Sequence, residues 1–351
     1  MEPEGFSFST LVCGWYEKQY PKRSLAFETH VQDFSSFKQL EAWKKKVRQK
    51  FLALLGISDL MDQRVSFNPR PGIQDYDEDT DTHVTRNLYI DTMPGVTASI
   101  VVQEPKHFPG KRPVLIAVHG HDADKWLSTG QERKPGQKYQ RNYCADLLGR
   151  GFTCVAVDHW GFGERGPYSA VARDRDEGDY NLMALIFGRT VAGLRILDII
   201  RVIDYVVQHV ERVDPARIAI MGQSLGGQMA AWVPAVEPRI AATVVSGYTS
   251  SWKHSILARH HCSDNYVPGM LLHLECEDLL RAHCPRPLYL VNGEKDPIFP
   301  LEGFNNAYEK VKACYDAFGI GDRLKREVLP ELGHEFVGKN AFDWLAGILK
   351  P

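Results

Sequence analysis

No stretch of this 351-residue chain approaches the roughly 18 uninterrupted apolar residues that a spanning helix requires. Charge of one sign is also missing. Forty-two Lys and Arg against 44 Asp and Glu leave a net charge of −2, which excludes a broad electrostatic grip on nucleic acid or on an anionic membrane. The first residues, Met1-Glu2-Pro3-Glu4-Gly5, have neither the basic nor the apolar segment of a secretory signal, so the expected location is cytoplasmic. The seven cysteines are odd in number and widely spaced, and no CxxC occurs. That pattern fits reduced thiols better than a disulfide framework. There is no internal repeat and no low-complexity linker. What remains is a chain with 44% hydrophobic and 25% charged residues, long enough for one large α/β domain with additions.

Residues 36–56 read as an amphipathic helix. Phe37, Leu40, Trp43, Val47, Phe51, Leu54 and Leu55 follow helical spacing, and Gly56 is the stop. Its basic residues, Lys44, Lys45, Lys46, Arg48 and Lys50, read as a solvated face rather than a nucleic-acid patch. The acidic run Asp75, Asp77, Glu78, Asp79 and Asp81 begins like a calcium loop. Thr80 stands where the loop needs glycine and Arg86 where it needs glutamate, so a solvated loop is expected. Thr82 to Val102 predicts a hairpin turning at Met93-Pro94-Gly95.

Beyond it, short apolar runs alternate with helical stretches. The runs are Val114–Val118, Phe152–Val157, Arg217–Met221, Ala241–Val245 and Pro287–Val291. The stretches are Tyr139–Leu148, Leu182–Val210, Gln228–Val236, Asn305–Phe318 and Ala341–Leu349. Strands apolar on both faces and separated by helices predict a mostly parallel sheet covered on both sides, with ligands at the carboxyl ends of the strands.

The chemistry concentrates in Gly222-Gln223-Ser224-Leu225-Gly226-Gly227, between a predicted strand and a predicted helix. Such a turn holds the serine in strained geometry above the sheet, while the glycines remove side chains that would collide. Serine needs a base, and the base needs an orienting acid. His334, after the β run Lys325–Leu329, is the candidate base. Asp296, after Pro287–Val291, is the candidate acid, with Asp322 in a turn and Asp343 in a helix as weaker competitors. The Leu225 N–H at the helix start is one oxyanion donor. The second is expected from His119-Gly120-His121-Asp122, with the His121 N–H preferred and Asp122 as the alternative. His119 itself reads as a packed structural imidazole.

These motifs, with Asp158-His159-Trp160-Gly161-Phe162-Gly163, Cys284-Pro285-Arg286-Pro287 and Asp296-Pro297-Ile298-Phe299-Pro300, resemble the α/β-hydrolase superfamily over roughly residues 80–350. Within it the chain is similar to the acetyl xylan esterase and dienelactone hydrolase-like branch, near prolyl-oligopeptidase catalytic domains. The resemblance implies an α/β-hydrolase fold and cofactor-independent, serine-dependent hydrolysis of carboxylic esters, with short acyl groups such as acetyl as the first choice. It divides the chain into a helical extension (1–80) packed on a catalytic domain (81–351).

Residues 246–285 read as a lid-like insert. Tyr248, Trp252 and Tyr266 are candidate pocket walls, as are Trp160 and Phe299 after core strands; core packing is the alternative for each. The insert also gathers His254, His260, His261, Cys262, His273, Cys276, His283 and Cys284, but their spacing is not that of a zinc site, and no metal is expected. The expected partner is a small-molecule ester, with homo-oligomer formation left open. A serine peptidase of prolyl-oligopeptidase-like type and a non-catalytic ligand-binding hydrolase fold are the rival readings. About 80 residues precede the hairpin, too few for a substrate-filtering propeller.

Overall fold

A computed structural model describes residues 8–27, 36–72, 77–121, 123–130, 142–166, 177–336 and 338–350. Its strands are β1 (Arg70–Pro71), β2 (Glu78–Asp79), β3 (His83–Met93), β4 (Val96–Pro105), β5 (Arg112–Val118), β6 (Thr153–Val157), β7 (Val213–Gln223), β8 (Ile240–Ser246), β9 (Leu288–Gly293) and β10 (Leu324–Leu329). They form one sheet in the order β1-β3-β4-β6-β5-β7-β8-β9-β10, with β2 on β3. From β6 through β10 every neighbouring pair is parallel, while the β3–β4 hairpin joins antiparallel at β6. This is the mostly parallel sheet expected from the alternating pattern, in the α/β-hydrolase architecture that the resemblance implies.

The helices of ten or more described residues are α1 (Phe8–Gln19), α2 (Phe37–Leu55), α3 (Glu177–Ile186), α4 (Val191–His209), α5 (Leu225–Val236), α6 (Leu301–Ala317) and α7 (Lys339–Leu349). None is long and apolar enough to cross a membrane. Alternation along the central strands sorts the core into two layers. On β5, Ile116 and Val118 join the layer that holds α2, α4 and α5, whereas Leu115 and Ala117 face Leu147 and Leu345 across the sheet. Of the expected stripe of α2, Leu40, Trp43, Val47, Phe51 and Leu55 are buried, while Leu54 is half-buried and Phe37 at the helix start is exposed; Phe51 meets Trp232 of α5 edge-on with ring centroids 5.5 Å apart.

Three local expectations change. The single helix read over Leu182–Val210 is two, α3 and α4. Thr190 starts the second by accepting a hydrogen bond from the Gly193 N–H at 3.0 Å, and Gly188 lies in the left-handed region between them. The basic face of α2 is not wholly solvated: Lys44 donates to the Cys284 carbonyl at 3.0 Å, and Arg48 to the Val236 carbonyl at 2.7 Å, at the end of α5. Cations there meet carbonyls that the helix leaves unpaired. In the acidic run, Glu78 and Asp79 pair with β3 as a short strand. Asp75 and residues 139–141 of an expected helix lie outside the described residues, and that helix is seen over Tyr143–Leu148.

The parallel register aligns the strand ends. Val118 stands opposite Gly222, Gln223 opposite Ser246, and Ser246 opposite Val291. The loops after β5, β7, β8 and β9 therefore emerge along one edge of the sheet, where ligands bind in open α/β folds.

Candidate active site

Ser224 sits between β7 and α5 at φ 58° and ψ −119°, a conformation costly for any residue with a Cβ. The surrounding bonds enforce it. The Ser224 N–H donates to the Ser246 carbonyl at 3.1 Å, and the Ser224 carbonyl accepts from Gln228 at 2.8 Å. The glycines beside it are demanded by close approach. A Cβ at Gly222 would lie 2.5 Å from the Val118 carbonyl oxygen, and one at Gly226 would lie 2.1 Å from the same atom. Leu225 begins α5, so its N–H has no carbonyl partner within the helix.

Asp296 and His334 meet above the same edge. The His334 Nδ1–H donates to Asp296 Oδ2 at 2.7 Å. The other carboxylate oxygen accepts from the Ile298 and Phe299 N–H groups at 2.8 and 2.9 Å, so the carboxylate is locked before it meets the ring. A carboxylate accepting at Nδ1 leaves Nε2 as the lone-pair nitrogen. That Nε2 is buried with no hydrogen-bond partner among the described residues. The ring stacks on Phe299 at 5.8 Å and lies against Gly247, where a Cβ would stand 3.0 Å from His334 Cε1. Gly247 directly follows Ser246, whose carbonyl holds the Ser224 N–H. The weaker acid candidates are elsewhere: Asp343 pairs with Arg150 at 2.5 Å, and Asp322 lies exposed in a short turn.

A cavity of about 220 Å³ opens on Ser224. Leu225, His121, Tyr248, Ile298 and Phe299 line it, together with His260, His261, Cys262 and Asn265. His121 and Ser224 therefore border one space, while Asp122 lies outside the described residues. Tyr248 and Phe299 are walls of this cavity. Trp252 and Tyr266 instead line a separate apolar groove. Trp160 borders neither; its ring carries the Arg165 guanidinium at 4.3 Å and its carbonyl accepts from Arg195 at 2.8 Å.

Next to the lining residues His121 and Asn265 lies a pair that sequence reasoning missed. Arg195 and Asp264 are both buried and joined at 2.5 Å, and His121 Nε2 lies 3.4 Å from the same Asp264 oxygen. Nothing local links residues 121, 195 and 264; only folding makes them neighbours. Asn265, next to Asp264, accepts from the Tyr248 hydroxyl at 3.0 Å and donates to the Cys262 carbonyl at 3.2 Å.

Two further motifs support the site. His119 Nδ1–H donates to the Gly120 carbonyl at 2.8 Å and Nε2 accepts from the His159 N–H at 3.1 Å. Burial pushes this imidazole down to about 3, which makes it the neutral structural group expected. Asp158 accepts from the Lys125 and Glu164 N–H groups at 2.9 and 3.0 Å and orders the loop behind the cavity, with burial raising its carboxyl to about 6. In the insert, His254 meets Ser251 at 2.6 Å, His261 meets Ser255 at 3.0 Å, and His283 donates to the Ala231 carbonyl at 2.9 Å. No three His, Cys, Asp or Glu side chains among the described residues are grouped to hold a metal ion. All seven cysteines are free thiols.

Comparison with known proteins agrees with the fold. Residues 115–272 match the model of the alpha/beta hydrolase family. The chain is 28% identical over 294 residues to YtaP, a candidate hydrolase of Bacillus subtilis strain 168, covering 82% of this chain and 92% of that protein. A candidate acetyl xylan esterase from Bacteroides fragilis has the same fold with a TM-score of 0.75 and 16% identity, over 98% of this chain and 95% of that one. Acetyl xylan esterase 1 from a Thermoanaerobacterium species superposes with a TM-score of 0.58 and 19% identity, over 87% and 93% of the two chains.

Proposed function

We propose that this chain is a serine carboxylesterase of the α/β-hydrolase superfamily, cleaving short-acyl esters through Ser224, His334 and Asp296. One observation carries the reading. A serine held at positive φ at a strand–helix elbow shares its sheet edge with an imidazole that a buried carboxylate grips at 2.7 Å.

In the proposed reaction His334 Nε2 takes the hydroxyl proton as Ser224 Oγ attacks the ester carbonyl. Asp296 holds the imidazole in that tautomer and stabilises its charged form. The Leu225 N–H, at the positive end of α5, receives the developing oxyanion together with the His121 N–H. Each such donor contributes about 3–4 kcal/mol to the transition state. His334 then protonates the leaving alkoxide, and water activated by the same imidazole releases the acyl group. No step calls on a group that these side chains and water do not supply.

Size favours a small acyl group. At about 220 Å³ the Ser224 cavity falls below the roughly 300 Å³ at which drug-sized sites begin. Phe299, Tyr248 and Ile298 give it apolar walls. Two solved structures that share the fold are named as acetyl xylan esterases, which supports an acetyl group.

The test pairs two substrates with one label. A p-nitrophenyl acetate should turn over much faster than an aminoacyl p-nitroanilide, and a fluorophosphonate should label the wild type but not Ser224→Ala. A faster anilide would establish a peptidase instead. A folded wild type that takes no label would be a ligand-binding module.

A further inference from the structure

A second cavity bordered by the insert is larger than the one at Ser224. A groove of about 660 Å³ runs between α3 and the insert, inside the range of small-molecule sites. Leu182, Leu185, Ile256, Val267, Met270 and Leu272 line it. Of its few polar side chains, Asn181 donates to the Ser263 carbonyl at 2.8 Å and accepts from the Val191 N–H at 3.1 Å, whereas Ser263 Oγ and Trp252 Nε1 are buried without a hydrogen-bond partner among the described residues. The rim is apolar as well. Leu182 is 59% and Leu272 52% exposed, and Ile186 and Phe187 at the end of α3 are 82% and 79% exposed. The space offers water few hydrogen bonds, and a contiguous apolar surface of this kind marks a ligand or partner site.

The groove and the Ser224 cavity are two sides of one segment. His260, His261 and Cys262 face the cavity, while Ser263, Tyr266 and Val267 face the groove. Asn265 borders both, and its carboxamide is held by Tyr248 and Cys262 as described. Tyr248 and Trp252 divide in the same way, the first at the cavity and the second in the groove. A molecule whose reacting carbonyl sits at Ser224 has one large apolar space within reach, past a single asparagine.

We propose that this groove is the second substrate subsite, and that it takes an extended apolar substituent of the ester whose carbonyl lies at Ser224. The proposal rests on the esterase reading and adds the substrate class: an ester with one small and one long aliphatic half. A polyhydroxylated sugar does not suit it, because its hydroxyls would lose water against leucine, isoleucine and methionine side chains without replacement bonds.

The experiment uses the full chain and two series of esters. p-Nitrophenyl esters of increasing acyl length place the chain on the acid, and acetates of increasing alkyl length place it on the alcohol. One series should gain in kcat/KM with each added methylene, by about three- to fourfold at most, until the groove is full. The series that gains tells which half lies in the groove. Leu182→Glu and Leu272→Glu, both at exposed positions, should each erase about tenfold of that gain, read as the ratio of kcat/KM for the long ester to that for p-nitrophenyl acetate, with the melting temperature as the check on folding. No gain with length in either series, or a gain that both variants preserve, would overturn the proposal. Binding of a pyrene-labelled dodecyl alcohol to Ser224→Ala supplies a readout independent of turnover. Saturable binding that Leu182→Glu abolishes supports the subsite even if no ester is cleaved, in which case the esterase reading alone has failed. A mass that rises with concentration and reverts in Leu182→Glu, without binding of the alcohol, would assign the groove to a second copy of the chain and reject the subsite.

Discussion

Two imidazole–carboxylate pairs stand beside Ser224, and they differ in what else holds the carboxylate. Asp296 is fixed by two backbone N–H groups and has no cation on it, so its second oxygen is free to grip His334 at 2.7 Å. Asp264 is joined to the buried Arg195 at 2.5 Å, and His121 lies 3.4 Å away, outside a good hydrogen bond. A carboxylate oriented by neutral donors keeps its charge for the imidazole. One neutralised by a guanidinium has little left to raise the basicity of a second partner. The contrast favours His334 over His121 as the proposed base, with His121 lining the cavity beside Ser224.

Substitutions can break that contrast. Asp296→Asn should lower kcat by about 10³–10⁴ through the wrong tautomer of His334, with the melting temperature little changed. Asp264→Asn should do the reverse. It strands a buried guanidinium and should cost about 3–5 kcal/mol in urea unfolding, with a far smaller loss of kcat in the protein that remains folded. If Asp264→Asn abolished turnover in folded enzyme while Asp296→Asn did not, the assignment of the two pairs would be inverted.

Smaller effects sharpen it. Gly247→Ala puts a Cβ 3.0 Å from His334 at a backbone φ of +55°, and should reduce kcat by about 10–100-fold as the imidazole is displaced. His121→Ala keeps the N–H and should change kcat by no more than about threefold, read with p-nitrophenyl acetate. The smallest effect concerns stability. Burial lowers His119 and His283 to about 3, so both are neutral in the fold and charge on unfolding near 6.5. Their contribution is complete above pH 6.5 and is lost as pH falls from there toward 3, each adding a slope of up to about 1.4 kcal/mol per pH unit. His283→Gln retains a donor for the Ala231 carbonyl and should flatten the decline of melting temperature between pH 6.5 and 4.5 by one proton's worth.

Much of the candidate site is legible in one dimension because its parts are local. The elbow is six consecutive residues, two of whose three glycines face the Val118 carbonyl, and Asp296 is held by the N–H groups two and three positions on. The strand runs are legible for the same reason, since burial on both faces writes itself as unbroken apolar text. The pocket was not. Trp252 and Tyr266 looked equivalent to Tyr248 and Phe299, yet a single asparagine divides them between two spaces. The break between α3 and α4 is marked in the sequence only by Gly188-Arg189-Thr190, set between two apolar-rich stretches that read as one helix.

From its residue order alone the chain determined the fold class, the strained serine and the order of the proposed acid and base after it. These rest on backbone geometry and hydrogen bonds spanning a few positions. Which imidazole has an unneutralised carboxylate, and how the space around the serine is partitioned, were decided only in three dimensions. Charge pairing and excluded volume act between residues such as 121, 195 and 264, whose separation along the chain carries no trace of their contact.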